Sequence, residues 1–126
     1  MVKGIHHISM GCDTREQYQK VRAFYCDVLG LRVCREWSNG MMVDTGDGLI
    51  EVFHNKPWTR AQGAIQHYAL AVEDIDALAE RIQAAGYEVF TSPRDIEINS
   101  NPPLPARIAF CYGPLGEEIE LFQEKG

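Results

Sequence analysis

No apolar run in this chain approaches the roughly 18 residues that a membrane span needs. The first ten residues, MVKGIHHISM, contain no apolar h-region, so no secretory leader is expected. Positive charge is also in short supply. Lys and Arg number 12 against 18 Asp and Glu, giving a net charge of −6 and a pI near 5.1. That balance argues against nucleic acid or an anionic membrane surface as a partner. Cysteine is confined to Cys12, Cys26, Cys34 and Cys111, with no C-x-x-C spacing. A disulfide scaffold is therefore not expected. The thiols read as reduced and mostly buried in a cytoplasmic protein, in preference to a thiolate metal site.

What is present is an ordinary globular composition, 45% apolar and 24% charged over 126 residues, enough for one domain with a real core spanning 1–126. Two helices are signalled. Thr14-Arg15-Glu16-Gln17 has capping-box form, and Tyr18, Val21, Phe24, Tyr25, Val28 and Leu29 follow at three- and four-residue spacing until Gly30 supplies a stop. A second stripe of Ile75, Leu78, Ala79, Ile82 and Ala85 begins near Asp74 and ends at Gly86. Strand-like runs precede and follow each helix. Laid side by side, I-H-H-I-S-M-G-C at 5–12 matches I-Q-H-Y-A-L-A-V at 65–72. G-L-R-V at 30–33 matches G-Y-E-V at 86–89, and I-E-V-F at 50–53 matches I-E-L-F at 119–122. The order predicts an α+β fold of two repeated βαβββ modules, about 1–58 and 59–126. They would form a cupped mixed sheet with helices on its outer face. Residues 92–105 carry Pro93, Pro102, Pro103 and Pro105 and are expected to form a loop with little regular structure, of a length that is often functional.

Glu51 and Glu120 each sit among large apolar residues. Side chains alternate along a strand, so Ile50 with Val52, and Ile119 with Leu121, suit the helix side. Glu51 with Phe53, and Glu120 with Phe122, then point the other way. By the same parity Ile8, Met10 and Cys12 face the helix. His7, Ser9 and Gly11, like His67, Ala69 and Ala71, take the opposite face. A single Glu in such a strand reads as a solvent-wetted position. Two of them, matched with two His across a repeat, ask for a shared reason, because Glu is almost never buried unless paired or ligating. Convergence of His7, Glu51, His67 and Glu120 would bind a divalent cation. The mixed nitrogen and oxygen set suits Ni, Co, Fe, Mn or Zn better than Ca or Mg. His6 matches Gln66 in the repeat and is assigned to the helix side or an edge. His54 falls opposite Glu51 by parity and is assigned to a loop. Trp37, Trp58 and Tyr112 either line a pocket or pack. Two small half-sheets expose long edges, which predicts a homodimer, with the ligands supplied by one chain or shared between two.

At these residues the chain resembles the vicinal oxygen chelate superfamily, the glyoxalase/bleomycin-resistance/dioxygenase group. The resemblance covers the whole chain. F-Y-C-D-V-L-G-L at 24–31 is similar to that family's first-helix signature, and I-Q-H-Y-A-L-A-V-E-D at 65–74 to its second-half strand. The similarity is greatest to short bacterial glyoxalase I (lactoylglutathione lyase). It implies metal ligands at His7, Glu51, His67 and Glu120, with nickel or cobalt favoured and Zn, Mn or Fe as other choices. It implies isomerisation of the hemithioacetal of a 2-oxoaldehyde and a thiol by way of an enediolate, with Glu120 as first choice of base and Glu51 as second. Asn55, four residues after Glu51, matches a glutathione-contacting Asn. Four residues after the first ligand the family has an Arg that helps hold the glutathione carboxylate. Here that position is Gly11, so the thiol carrier is open, and Arg60, Arg94 and Arg107 are candidate replacements. The alternatives are a dioxygenase or epimerase of the same superfamily, or a non-enzymatic drug-binding protein. A fourth ligand is more than the two His and one carboxylate a dioxygenase needs. Methylmalonyl-CoA epimerase-like enzymes usually show an amide at the position of Glu51. A drug-binding protein has no need of a complete ligand set, although an acidic surface would suit a cationic drug.

Overall fold

The computed structural model describes residues 1, 5–54, 56, 63 and 65–125. The chain divides into two compact units, Met1–Thr59 and Arg60–Gly126. Among the described residues no helix is long and apolar enough to cross a membrane.

In the first unit, strand β1 (His7–Cys12) leads into helix α1 (Arg15–Arg22), followed by β2 (Arg32–Trp37), β3 (Gly40–Asp44) and β4 (Leu49–His54). The sheet order is β1-β4-β3-β2, with β1 parallel to β4 and the other pairs antiparallel. The start of α1 is fixed locally. Thr14 Oγ1 accepts from the Gln17 N–H at 3.1 Å, and Gln17 Oε1 accepts from the Asp13 N–H at 2.7 Å, which satisfies two amides at the helix entry. The helix does not run to Leu29 as one α-helix. From Ala23 to Val28 it widens into π-helical turns, and the Leu29 N–H donates to the Phe24 carbonyl at 3.0 Å. The adjacent rings of Phe24 and Tyr25 are both fully buried there. With Tyr18 and Val21 they cover Cys12, Met41, Val43, Ile50 and Val52, the buried face of the sheet.

The second unit repeats the plan with β5 (Tyr68–Ala71), α2 (Ile75–Ala84), β6 (Val89–Ile98), β7 (Leu104–Tyr112) and β8 (Glu118–Glu124). The sheet order is β5-β8-β7-β6, and again only the first pair is parallel. Ile75, Ala79 and Ile82 of α2 are buried, as are Ala109, Cys111, Ile119 and Leu121 of the sheet. The α2 entry is not capped by Asp74, which has φ of 48°. Instead Gln123 Oε1 of β8 accepts from the Ile75 N–H at 3.0 Å. Two mixed four-stranded sheets with few helices make the α+β class expected from the sequence.

One expectation is overturned. Residues 92–105 are mostly strand: β6 runs through Pro93 to Ile98 and β7 starts at Leu104. Two features accommodate Pro93. β6 is the edge of its sheet, where a missing N–H costs no ladder bond. Its pairing with β7 also slips between Val89 and Thr91 and again between Thr91 and Arg94, the interval that contains Pro93. Only 99–103 remain as the connection. Charge holds this hairpin to the helix. Arg107 of β7 donates to Asp76 of α2 through Nε at 2.8 Å and a second nitrogen at 2.7 Å, and to Asp95 of β6 at 3.1 Å. Lys125 also reaches Asp95, at 3.1 Å. Hydrogen bonds from Arg107 hold the Asp76 carboxyl below the usual carboxylate range. Those from Lys125 and then Arg107 do the same for Asp95, and the two carboxylates raise Arg107 in turn.

Candidate metal centre

The two unusual carboxylates occupy the same place in their sheets. Glu51 of β4 lies between Ser9 of β1 and Met42 of β3, and Glu120 of β8 lies between Ala69 of β5 and Phe110 of β7. Each faces away from its helix because Ile50 and Val52, and Ile119 and Leu121, take the buried side. Each is met by the His two residues before its partner on the parallel strand. His7 Nε2 is 3.5 Å from Glu51 Oε1, and His67 Nε2 is 3.1 Å from Glu120 Oε1. Side-chain exposure repeats as well, 36% and 14% in the first pair, 38% and 14% in the second. Two wetted strand-face carboxylates would have no reason to agree in register, partner and exposure together.

The surroundings differ. His7 Nδ1 lies 2.9 Å from His6 Nδ1, with the rings edge to face at 5.2 Å, and this contact leaves His7 Nε2 turned toward Glu51. His67 stands just before β5, and its ring meets Phe110 edge-on at 5.3 Å. Phe90 lies 5.6 Å from Phe110 and stacks on Tyr112 at 4.3 Å, so an aromatic wall runs beside the second pair. Beside the first pair, Trp37 meets Phe53 at 5.7 Å. His54 is corrected from loop to strand: it is the last residue of β4. Its ring lies on the helix side, 5.2 Å from that of Tyr18, with Nε2 2.6 Å from the Ser38 carbonyl oxygen. Among the described residues the cysteines form no disulfide; Cys12 and Cys111 are buried, Cys26 and Cys34 partly so. Burial pushes the Cys111 thiol up to about 12 and raises Cys26, which makes both poor nucleophiles.

The donor chemistry fits a divalent transition ion. Two ligand atoms about 2.1 Å from one ion and at about a right angle stand about 3 Å apart. The separations of 3.1 and 3.5 Å, each between an imidazole nitrogen and a carboxylate oxygen, match that spacing. Each pair supplies two donors. Among the described residues no three His, Cys, Asp or Glu side chains gather as one ligand group.

The repeated sheet plan has counterparts among known proteins. The pattern of the Glyoxalase/Bleomycin resistance protein/Dioxygenase superfamily matches residues 4–121. The chain belongs to that superfamily. It is 27% identical to the uncharacterized protein YaeR of Escherichia coli (strain K12), over 98% of each chain. It is 29% identical to the "Probable lactoylglutathione lyase" of Synechocystis sp. (strain ATCC 27184 / PCC 6803 / Kazusa), over 79% of this chain and 82% of that one. The crystal structure of the glyoxalase family protein from Enterococcus faecalis shares the fold, with a TM-score of 0.73 and 23% identity over 95% of this chain and 97% of that one.

For this superfamily member the placement of cations bears on what can bind. Arg107, a candidate to replace the Arg absent at Gly11, is committed to Asp76 and Asp95 and does not serve that role. Arg94 is exposed on the edge strand β6, level with Ile108 of β7. Arg60, Asn55 and Trp58 lie outside the described residues. Sequence reasoning missed Lys56, whose Nζ stands 4.9 Å over the Phe53 ring, and it missed Phe90 and Phe110. Parity along β8 orients Glu120, but only the register between β7 and β8 reveals that Phe110 is its neighbour.

Proposed function

We propose that the chain is a divalent-metal-dependent isomerase of the glyoxalase I type, acting on the hemithioacetal of a 2-oxoaldehyde and a small thiol. The observation that supports it most is the duplicated His–Glu pair, His7 with Glu51 and His67 with Glu120, in equivalent strand register. In this reading all four side chains hold the ion, with nickel or cobalt favoured. Bound there, the ion would act as a Lewis acid, polarising the substrate carbonyl and acidifying the neighbouring C–H. Glu120 then takes the proton from the carbon that bears the sulfur and returns it to the adjacent carbon. The carbonyl and hydroxyl exchange places, and a 2-hydroxyacyl thioester results with no net gain or loss of electrons. The apolar wall of Phe90, Phe110 and Tyr112 beside His67 keeps water from the carboxylate during the transfer.

Elemental analysis tests the metal reading. After mild chelation and re-addition, the protein is expected to retain about one Ni, Co, Zn, Mn or Fe ion per four-ligand set, and His67→Ala to lose it. A wild type that takes up none of these ions rules out the isomerase. The drug-binding reading would then stand in its place.

The working form proposed is a homodimer. Among the described residues the outer edges of β1, β2, β5 and β6 have no strand partner within their own sheets, and such edges need covering. Light scattering at micromolar concentration is expected to read the mass of two chains; the mass of one would contradict it.

A further inference from the structure

The chain beyond β4 turns back across the end of β1. The Lys56 N–H donates to the Cys12 carbonyl at 2.7 Å. A Cβ placed on Gly11 would stand 2.9 Å from both the Lys56 Cβ and the Lys56 carbonyl oxygen. A side chain at position 11 and a lysine main chain at this crossing therefore exclude each other, and the glycine makes the crossing possible. From there the Lys56 side chain places its Nζ 4.9 Å over the ring of Phe53. Phe53 pairs with Gly11 across the parallel ladder, two residues beyond Glu51 and on the same face. The ammonium thus stands on the face that carries His7 and Glu51, about 7 Å along the strand from the carboxylate-bearing position.

Among the described residues Lys56 makes no ion pair. An aromatic face orients an ammonium without neutralising it, so the charge remains available to an anion. In a chain of net charge −6, a fixed and unpaired cation beside the candidate centre is a recognition feature that bulk charge does not supply. Arg35 lies on the same face, level with Met42 and Glu51 across the sheet, and is also exposed. Among the described residues it has no aromatic seat, and it stands two strands from Glu51.

We propose that Lys56 is a specificity-determining residue that binds an anionic group, a carboxylate or a phosphate, on the small molecule handled at the His7–Glu51 pair. The turnover arm of the test below rests on the isomerase reading; the binding arm does not.

Calorimetric titration of the protein, with and without added Ni, uses three unreactive probes: S-methylglutathione for carboxylates, glycerol 3-phosphate for phosphate, and 2-(methylthio)ethanol as the neutral control. The wild type is expected to bind at least one anionic probe. Lys56→Ala should weaken that binding by at least about tenfold, the usual worth of a hydrogen bond to a charged group. Lys56→Arg should stay within about threefold of wild type, and Arg35→Ala within about twofold. The probe that responds identifies the anion. In turnover with methylglyoxal, Lys56→Ala should raise KM for the glutathione adduct at least about tenfold and leave the 2-mercaptoethanol adduct within about twofold. Failure of the wild type to bind either anion overturns the proposal. So do equal losses in Lys56→Ala and Arg35→Ala, which would signify a general field rather than a contact. If neither adduct is turned over, the isomerase reading fails while the titrations still decide the role of Lys56.

Discussion

Glu120→Gln is expected to lower kcat by about 10²- to 10⁴-fold, the range over which a positioned general base accelerates proton transfer, while the protein still takes up metal. The amide keeps an oxygen donor at the same position of β8 and removes the basic oxygen that receives the proton. His67, 3.1 Å away, remains to orient the side chain. Glu51→Gln on the other sheet is expected to cost less in kcat, because Glu51 is assigned to the ion rather than to the proton. The comparison is read on Ni- and Co-loaded protein with methylglyoxal and several small thiols, alongside metal content. Turnover unchanged in Glu120→Gln would show that another group is the base. Absence of turnover with any thiol, in a wild type that does hold metal, would point to a different reaction of the superfamily.

Phe24→Ala is expected to destabilise the protein by about 3–5 kcal/mol, the usual cost of deleting a buried ring and leaving its cavity. Phe24 is fully buried, meets Tyr25 edge to face at 5.0 Å, and sits in the π-helical turns where the surrounding backbone is committed to other partners. Such a loss is a large part of the roughly 5–15 kcal/mol that a folded chain has in total. Equilibrium urea unfolding reads it as a lower midpoint at unchanged slope. A change below about 1 kcal/mol would mean that the site collapses around the missing ring and that the packing ascribed to it is wrong. Lys56→Ala, at an exposed residue with no ion pair among the described residues, serves as the comparison and should change the stability by less than about 0.5 kcal/mol.

Much of the fold was legible because its signals are local. A capping Thr14, apolar spacing through Val21 and Phe24, and Gly30 and Gly86 as stops report on backbone hydrogen bonds a few residues apart. Alternation along a single strand also needs no partner, so the sequence alone turned Glu51 and Glu120 away from Ile50, Val52, Ile119 and Leu121. The match between the two halves aligned His7 with His67 and Glu51 with Glu120 as four candidate ligands; which His meets which Glu, each within 3.5 Å, is decided by the strand pairing. What lies beside those residues was decided only by tertiary structure. Residues 92–105 read as a loop, yet Pro93 lies in the edge strand β6 at a register slip and Pro105 in β7, because pairing between β6 and β7 outweighs the local propensity. Arg107 was one of three candidates to replace the Arg absent at Gly11 until the α2–β6–β7 arrangement placed Asp76 and Asp95 around it. Gly11 read as the loss of a cationic side chain; the return of the chain over β1 shows that the space belongs to Lys56. In each case the deciding contact joins residues more than ten positions apart in the chain. Local propensity and strand parity carry no information about such contacts, and only the tertiary arrangement of strands, helices and returning chain creates them.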